Sequence, residues 1–586
     1  MGSDEQNDVE HGSQATTNPA DDLPAAAVAG DLLNRTNTLL SELEAFNALL
    51  ETHRRPPILG HRAFIQDVNA EKRFIERLLQ KALAETNSGP EATPNGDDDH
   101  EDPLAALEAD RRIKHQLSST NITSYEAQWA AVKRCRGLTA LRQTFSRQPP
   151  SVRRARKEVP RAASPSSKIK AHVRKTQDNV LVDAVVDNGA TWLKVSAISE
   201  RQLLFQMARQ GWQNASDDSD SDGSAYGKPI GGGGAANPDD EDSDDEDEVV
   251  VVRLAKHLTQ AARANRHAYR HPRIHLALPK IRSGRIKEID ALLTRIRNLS
   301  SAAAPLVLET GGEDLVPPPT NAAAPGLTPL LTDPHASFTP TLNVDCTLLV
   351  ALASDISHAR CAEQPWYPTA VRAQIRDERR AALMPLHLYP ALGGRRLVCT
   401  RAAARRMREI VATIGTESEV LRAGLLLGGD DDGDEPPDAA EGDEGEDEEK
   451  RRQDLLDAFQ RWSIYPVPRE LRLPIRVVEG EGGEGCEVVE GDHTAASSDG
   501  EGGASESRPR LPRVAGAVAA QLTDINRSIF LHGWATGCTT LSSNGTVAKQ
   551  IETLVEQHRT CDEEVGPDVW LCPVARSLVA KKGRQT

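Results

Sequence analysis

Three runs of acidic residues interrupt this sequence, and they limit how much continuous chain any folded domain can contain. Residues 217–248 hold 13 acids and one Lys, 430–449 hold 13 acids and no base, and 479–506 hold 9 acids and no base. Runs this polar and this charged cannot be buried in a core, so we expect them to be disordered. The folded modules must fit around these inserts.

The net charge of −17 hides a different balance in the rest of the chain. Removing the 35 acids and one Lys of the three runs from the totals of 87 acids and 70 bases leaves 52 acids against 69 bases, an excess of 17 positive charges. Basic modules of this kind fit a polyanionic partner such as RNA. An ordinary solvated surface, with inserts that favour solubility, explains the same balance, and both interpretations stay open.

Several classes of protein are disfavoured. No stretch reaches the roughly 20 consecutive apolar residues of a membrane span, and the N-terminus lacks the basic start and apolar run of a secretory signal. The 8 cysteines include no Cys-x-x-Cys pair, which argues against a zinc ribbon, and cysteines within apolar runs are typical of a reducing compartment. We therefore expect a cytoplasmic or nuclear protein without a membrane partner; its oligomeric state stays unknown.

The pattern of apolar residues predicts that the first part of the chain is helical. After a disordered N-terminus (1–24), apolar residues recur at helical spacing and predict a helical module over 25–146, with a loop at 87–103. Its last helix is expected over 124–145, with Thr123 and Glu126 forming a capping box. A basic linker follows at 147–175.

The rest of the chain alternates between strand and helix patterns, which favours an α/β fold class. A mixed α/β region is expected over 176–310, with an acidic insert at 214–248. A Pro-rich linker (311–338) leads to a domain over 339–582, in which strands and helices alternate as in a parallel sheet covered by helices. Acidic inserts are expected in that domain at 428–450 and 479–509.

Two short segments allow specific predictions, one of a hairpin turn and one of a site carboxylate. Asp187-Asn188-Gly189 lies between two β-rich runs and predicts a tight hairpin. Asp345 ends a short apolar strand and opens an apolar run, so its side chain is expected in the crevice beyond the strand, where open α/β sheets bind ligands. An aspartate that only caps a helix explains the same position. His267, His271 and His275 lie four residues apart, but Pro272 interrupts any helix there, so we interpret the spacing as chance.

Four blocks of the sequence are similar to a known family. They are HQLSSTNITSYEAQ (115–128), LVDAVVDNGATWLKV (181–195), LNVDCTLLVALASDIS (342–357) and SIFLHGWATGCTTLSSNGTVAK (528–549). Through these blocks, which occur in the order found in the family, the chain resembles an uncharacterised eukaryotic family with a C-terminal PIN-like domain of unknown function. A human chromosome-seven open-reading-frame protein belongs to that family. The chain resembles a fungal-type member with acidic inserts. The resemblance implies a helical N-terminal module and a C-terminal PIN-like three-layer domain with a parallel sheet.

The same resemblance implies an incomplete metal site. PIN domains typically cluster three or four acids around Mg²⁺ or Mn²⁺ and cleave RNA. Asp345 matches the first acid; Arg406 stands at the second, with Glu409 one turn away. The third acid is expected after a strand reading SIFLHG (528–533), where Trp534 stands. Hard cations need several oxygen ligands, so we expect no metal ligands and no cofactor, while Arg406 is suited to phosphate.

These observations predict a degenerate nuclease fold that acts in RNA or protein binding and is not expected to be an enzyme. Asp345 and Glu409 are the catalytic candidates, and Arg406 and Lys194 the binding candidates; Lys194 belongs to the hairpin block, whose Trp192 is expected in the core. One alternative is an active Mg- or Mn-dependent ribonuclease that uses Asp345 with Glu409 and Asp524. Another is a protein-interaction scaffold that binds no nucleic acid.

Overall fold

The computed structural model describes residues 23–87, 103–148, 178–209, 248–311, 326–428, 446–480 and 511–579. Contacts divide the chain into two compact units, a first unit that ends at Asp333 and a second unit that begins at Pro334, with Ala268–Arg270 assigned to the second. Most of the predicted N-terminal tail, basic linker and acidic inserts, and half of the predicted Pro-rich linker, lie outside the described residues. None of the described helices is long and apolar enough to cross a membrane.

The N-terminal part of the first unit is helical. Its helices are α1 (Ala25–Thr52), α2 (His61–Asn87), α3 (Pro103–Ser118) and α4 (Ile122–Lys133). Leu39, Leu43 and Phe46 recur at helical spacing on α1 and are buried in one apolar cluster with Phe64 of α2 and Trp129 of α4. This burial of one face of each helix is what holds the layer together.

The prediction of one helix over 124–145 is wrong beyond Lys133, because Ala140–Ser146 forms strand β1. Gly137 lies between the two elements at φ +55°, and a Cβ there would come within 2.9 Å of the Asn188 backbone nitrogen. The predicted capping box is also absent: Asn121 is the N-cap, and Glu126 instead accepts a hydrogen bond from Arg35.

The described sheet of the first unit has the strand order β1-β2-β3-β4-β5. Its remaining elements are β2 (Asn179–Val186), β3 (Thr191–Val195), α5 (Glu200–Arg209), α6 (Val250–Ala264), β4 (Arg273–Leu278), α7 (Lys287–Arg297) and β5 (Leu306–Thr310). Strands β1 to β3 pair antiparallel and β3 to β5 parallel. The predicted hairpin is confirmed, with Asn188 in the left-handed region, and Trp192 is buried against Phe145 as expected.

The second unit contains a sheet of parallel strands in the order β10-β9-β6-β7-β8. Its strands are β6 (Thr341–Val344), β7 (Arg396–Thr400), β8 (Arg476–Val478), β9 (Thr539–Ser542) and β10 (Val569–Leu571). Its helices are α8 (Cys346–Ala353), α9 (Asp355–His358), α10 (Thr369–Arg380), α11 (Tyr389–Leu392), α12 (Arg401–Ile414), α13 (Glu417–Leu427), α14 (Glu446–Gln460), α15 (Val514–Ala519), α16 (Asp524–Thr536) and α17 (Gly545–His558). A π-helical turn, Met384–Leu388, precedes α11. Helix α14 begins inside the last residues of the second acidic run, where we expected an insert as far as residue 450.

Both faces of this sheet are covered. Leu342, Asn343 and Val344 are consecutive residues of β6, so their side chains alternate between the faces, and all three are fully buried. The predicted strand at SIFLHG is wrong, because these residues belong to α16. That helix lies close to the sheet at Gly533, where a Cβ would come within 2.0 Å of Thr540 Oγ1.

Candidate functional site

The candidate site lies where the chain changes direction across the second sheet. From β6 the chain adds β7 and β8 on one side, and it later returns to add β9 and β10 on the other side. Strands β6 and β9 are therefore parallel neighbours whose carboxyl ends meet at a switch point. Open α/β sheets bind their ligands in the crevice outside such a point.

Asp345 follows β6 at this position and is the N-cap residue of α8. Its side chain is only 2% exposed. Asp345 Oδ2 accepts hydrogen bonds from Thr347 Oγ1 at 2.7 Å and from Ser542 Oγ at 2.5 Å. The predicted carboxylate thus reaches the switch point, where hydroxyl groups from two different segments already surround it.

The hydroxyl groups extend this network into the end of β9. Thr347 Oγ1 also accepts a hydrogen bond from the Ser543 backbone, and Ser542 Oγ accepts one from the Asn544 backbone. The Asn544 side chain in turn accepts a hydrogen bond from Val547 N and caps α17. The ends of β6 and β9 are therefore held together by side chains as well as by their ladder.

Burial raises the pKa of Asp345, while the hydroxyl groups of Ser542 and Thr347 and nearby backbone amides lower it. Burial has the larger effect, so the pKa of this carboxyl lies above that of an exposed aspartate. Desolvation disfavours the charged form in such a pocket. Asn343, on β6, lies two residues before Asp345 and is also hydrogen-bonded. Its Nδ2 donates hydrogen bonds to Ile529 O and Thr540 Oγ1.

Arg406 and Glu409 lie on α12, which begins at the carboxyl end of β7. Their exposed side chains form an ion pair of 3.4 Å, and Arg405 pairs with the same glutamate at 3.1 Å. Burial raises the pKa of the Cys346 thiol to about 12; of the two α12 residues, Arg406 lowers this pKa and Glu409 raises it. Both residues therefore lie within electrostatic reach of the residue next to Asp345, although neither has a described hydrogen bond to Asp345 itself.

The residues at the switch point do not fit a divalent metal. Within the described ranges, no group of three or more His, Cys, Asp and Glu side chains is placed to hold an ion. Asp345 is the carboxylate at the switch point, and Oδ2 already accepts two hydroxyl hydrogen bonds. Mg²⁺ requires near-octahedral oxygen coordination, which this set does not offer.

Two other residues weighed from the sequence have different roles. Trp534 lies within α16 and its Nε1 donates to Val565 O at 3.1 Å, so it does not follow a strand as the resemblance implied. Asp524 is in the first turn of α16, where its 94% exposed side chain pairs with Arg527.

Lys194 belongs to the first unit and is fixed there by an acid. Its Nζ lies 3.0 Å from Asp183 Oδ1, and the side chains are 15% and 1% exposed. Asp183 Oδ2 also accepts the Val195 backbone N–H. The lysine thus neutralises a buried carboxylate between adjacent strands, which accounts for its position without a ligand.

Sequence reasoning missed Thr347, Ser542, Ser543 and Asn544. The signal that could have found the last three is the run TTLSSNG, in which β-branched residues lead to an Asn-Gly pair, a pattern of strand followed by a turn or helix cap. We assigned the neighbouring strand to SIFLHG instead, and that shifted the expected third position to Trp534.

The family model described as "Protein of unknown function (DUF1308)" matches residues 342–429. The match begins in β6 and extends just past α13, so it includes Asp345, Arg406 and Glu409 but not the β9 side of the switch point. No curated protein and no solved structure matches the chain.

Proposed function

We propose that the second unit is a degenerate PIN-like nuclease domain that binds the phosphate backbone of RNA without cleaving it. The observation that carries the proposal is the composition of the switch point. Among the described residues there, one buried carboxylate, Asp345, accepts hydrogen bonds from two hydroxyl groups, and an arginine-rich helix begins at the end of the next strand. The parallel sheet with both faces covered supports the PIN-like part, because the sequence resemblance implies that architecture.

The charge of α12 supports the choice of RNA. Arg401, Arg405, Arg406 and Arg408 lie in its first eight residues, and the first three have side chains that are 59, 81 and 57% exposed. Guanidinium groups match phosphate oxygens in a bidentate manner. Phosphate contacts also position a protein on nucleic acid without demanding a particular sequence.

Cleavage is the less favoured activity for a chemical reason. Metal-assisted hydrolysis of a phosphodiester needs ions held by several anionic oxygens, which activate water and neutralise the developing charge. Glu409, an acid that the sequence offered for this site, is paired with two arginines on an exposed helix face. Two guanidinium groups beside that carboxylate favour a bound phosphate over a bound cation.

The test is equilibrium binding of single-stranded RNA to the full-length chain over a series of salt concentrations. We expect the affinity to fall steeply as salt rises. Arg406→Glu should weaken binding at low salt and flatten the salt dependence by about 0.7 in slope for each phosphate that the variant no longer neutralises. Arg380→Glu is the matched control, because Arg380 is also exposed and pairs with an acid three residues away. Absence of RNA binding at low salt would favour the scaffold alternative.

A second assay addresses the ribonuclease alternative. RNA is incubated with the protein and Mg²⁺ or Mn²⁺, and Asp345→Asn is compared with the unchanged chain. We expect no metal-dependent cleavage by either protein. Cleavage that requires the metal and disappears in Asp345→Asn would establish the nuclease and overturn the proposal.

A further inference from the structure

An open groove of about 600 Å³ lies along one face of α5 in the first unit. It is lined by Ala197, Ile198, Arg201, Gln202, Phe205 and Gln206. The helix follows directly after β3, and its opposite face buries Leu203 and Met207 in the core. Arg201, Gln202 and Phe205 are exposed and are not needed to attach the helix to the sheet, whereas Ile198 packs against the core cluster.

Phe205 is the most unusual of these residues. Its side chain is 70% exposed, more than any other large hydrophobic side chain in the described part of the chain. An aromatic ring held in solvent beside a groove, on a helix already anchored by Leu203 and Met207, offers a flat face to a partner. Unpaired bases use such faces, because every base has a π surface that stacks on an aromatic ring.

Gln206 has an unsatisfied polar atom, which is a second observation at this groove. Its Oε1 atom is buried and has no hydrogen-bond partner among the described residues. A buried acceptor without a donor is unfavourable unless a ligand supplies one. The ring N–H and amino groups of a base are donors of this kind, and proteins that bind single-stranded RNA form hydrogen bonds with these base edges.

The charge around the groove selects an anionic ligand. Arg201 is exposed and makes no ion pair within the described ranges. The Arg282 backbone donates to Glu200 Oε1 at 3.0 Å, and Arg285 lies 3.6 Å from the same carboxylate. Arg201 on the first turn of α5 and the guanidinium of Arg285 beside it thus outnumber the one carboxylate described there, that of Glu200. This excess of positive charge attracts a phosphate backbone.

We propose that the α5 groove binds an unpaired base of a single-stranded nucleic acid. The base stacks on Phe205, the Gln206 side chain turns so that its Oε1 accepts one of the base N–H groups, and Arg201 and Arg285 attract the flanking phosphates. A protein partner is the less favoured occupant, because three of the six lining residues, Arg201, Gln202 and Gln206, are polar and can bind the edges and phosphates of a nucleotide. The site lies in the first unit, shares no residue with the switch point, and goes beyond the function proposed for it.

The experiment uses the full-length chain carrying Arg406→Glu, so that the α12 surface contributes little. Binding is measured by fluorescence anisotropy with a labelled oligo(A) of about 12 nucleotides, within the usual length of single-strand sites. An abasic ribose-phosphate chain of equal length is measured in parallel. Oligo(A) should bind more tightly than the abasic chain, and Phe205→Ala should weaken oligo(A) binding roughly tenfold while leaving abasic binding unchanged.

The controls separate stacking from folding and from general charge. Phe205→Trp keeps a stacking face and should retain the affinity. Leu59→Ala removes another exposed hydrophobic side chain and should change nothing. A deoxyribose oligo(A) distinguishes DNA from RNA as the preferred ligand, and tight binding of either supports the site. Equal affinities for oligo(A) and the abasic chain, or an unchanged affinity in Phe205→Ala, would overturn it.

A photoreactive side chain at position 205 identifies the occupant directly. Cross-linking to the oligonucleotide supports the proposal. In a mixture with cellular protein, cross-linking to protein without any to the oligonucleotide would assign the groove to a protein partner and contradict it.

Discussion

Ser542 Oγ donates a hydrogen bond of 2.5 Å to Asp345 Oδ2, although the two residues lie 197 positions apart in the chain. The bond joins the carboxyl ends of two adjacent parallel strands. A carboxylate used in this way connects β6 to β9 at the point where other α/β proteins hold a ligand. This relationship makes Asp345 a structural residue as well as a site residue, and the two roles can be measured separately.

Removing either partner should destabilise the second unit. We expect Asp345→Asn to lower its free energy of unfolding by about 1–3 kcal/mol and Ser542→Ala by about 1–2 kcal/mol, because a buried polar group is deprived of its partner in each case. The double variant should cost less than the sum, since the two residues share one hydrogen bond. Urea unfolding of the four proteins measures this coupling; strictly additive effects would show that the bond contributes nothing.

Gly533 permits the close approach of α16 to the sheet. A methyl group there would lie 2.0 Å from Thr540 Oγ1 and 3.1 Å from Asn343 Nδ2. Gly533→Ala should therefore cost about 1–3 kcal/mol or more, as in other overpacked cores. Gly424→Ala is the control: it lies within α13 with nothing within 4 Å of its Cβ position, and should stabilise by about 0.5–1 kcal/mol. Equal changes in melting temperature for Gly533→Ala and Gly424→Ala would contradict this close packing at Gly533.

Arg422 is a buried cation that connects three segments. Its side chain is 1% exposed and pairs with Asp355, while Nε and Nη1 donate hydrogen bonds of 2.8 Å to Ala353 O and Trp462 O. Arg422→Ala should cost about 3–5 kcal/mol in denaturant unfolding, because the partly buried carboxylate of Asp355 would then have no countercharge. The exposed Arg405→Ala should change stability by less than about 0.5 kcal/mol. A cost below about 1 kcal/mol for Arg422→Ala would show that water replaces the guanidinium.

His358 should make the second unit sensitive to acid. Burial, reinforced by Arg422, lowers its pKa to about 3. Between the ordinary pKa near 6.5 and that value, the unfolded chain binds a proton that the folded chain does not, so stability falls as pH falls. The linked decrease is about 1.4 kcal/mol for each pH unit, or about 2 kcal/mol between pH 7 and pH 5.

The measurement compares the native chain with His358→Gln. The pKa values of Glu378 and Glu419 are raised by burial and act in the opposite sense, so only the difference between the two proteins isolates the histidine. The stability advantage of the native chain should shrink by about 2 kcal/mol from pH 7 to pH 5. His558→Gln, which removes an exposed histidine, is the control for the substitution itself. If the free energy of unfolding of His358→Gln and of the native chain changed equally with pH, the histidine would take up its proton in the folded state.

The sequence predicted most elements whose pattern is local. The hairpin at Asp187-Asn188-Gly189 could be predicted because a left-handed turn favours these residue types independently of tertiary contacts. The segment ALRQTFS was misread as helix since Leu138, Leu141 and Phe145 fit helical spacing, whereas pairing with β2 decides its conformation. SIFLHG was misread as a strand because a short apolar run fits either element.

The candidate site was only half predictable for a related reason. Asp345 could be recognised because an acid at the end of an apolar strand is a local signal. Its partner Ser542 could not, because their hydrogen bond depends on β9 lying next to β6, and hydrophobic periodicity does not determine strand order. The functional roles expected of Glu409, Arg406 and Lys194 stay predictions.

The strand order also has a consequence for biosynthesis. Strand β6 leaves the ribosome well before its neighbour β9, since almost two hundred residues must be translated between Asp345 and Ser542. At about 5–20 residues per second this interval lasts roughly 10–40 s. During that time the nascent chain has an apolar strand edge without its final neighbour, and any truncation upstream of residue 539 would leave that edge permanently open to chaperones and to aggregation.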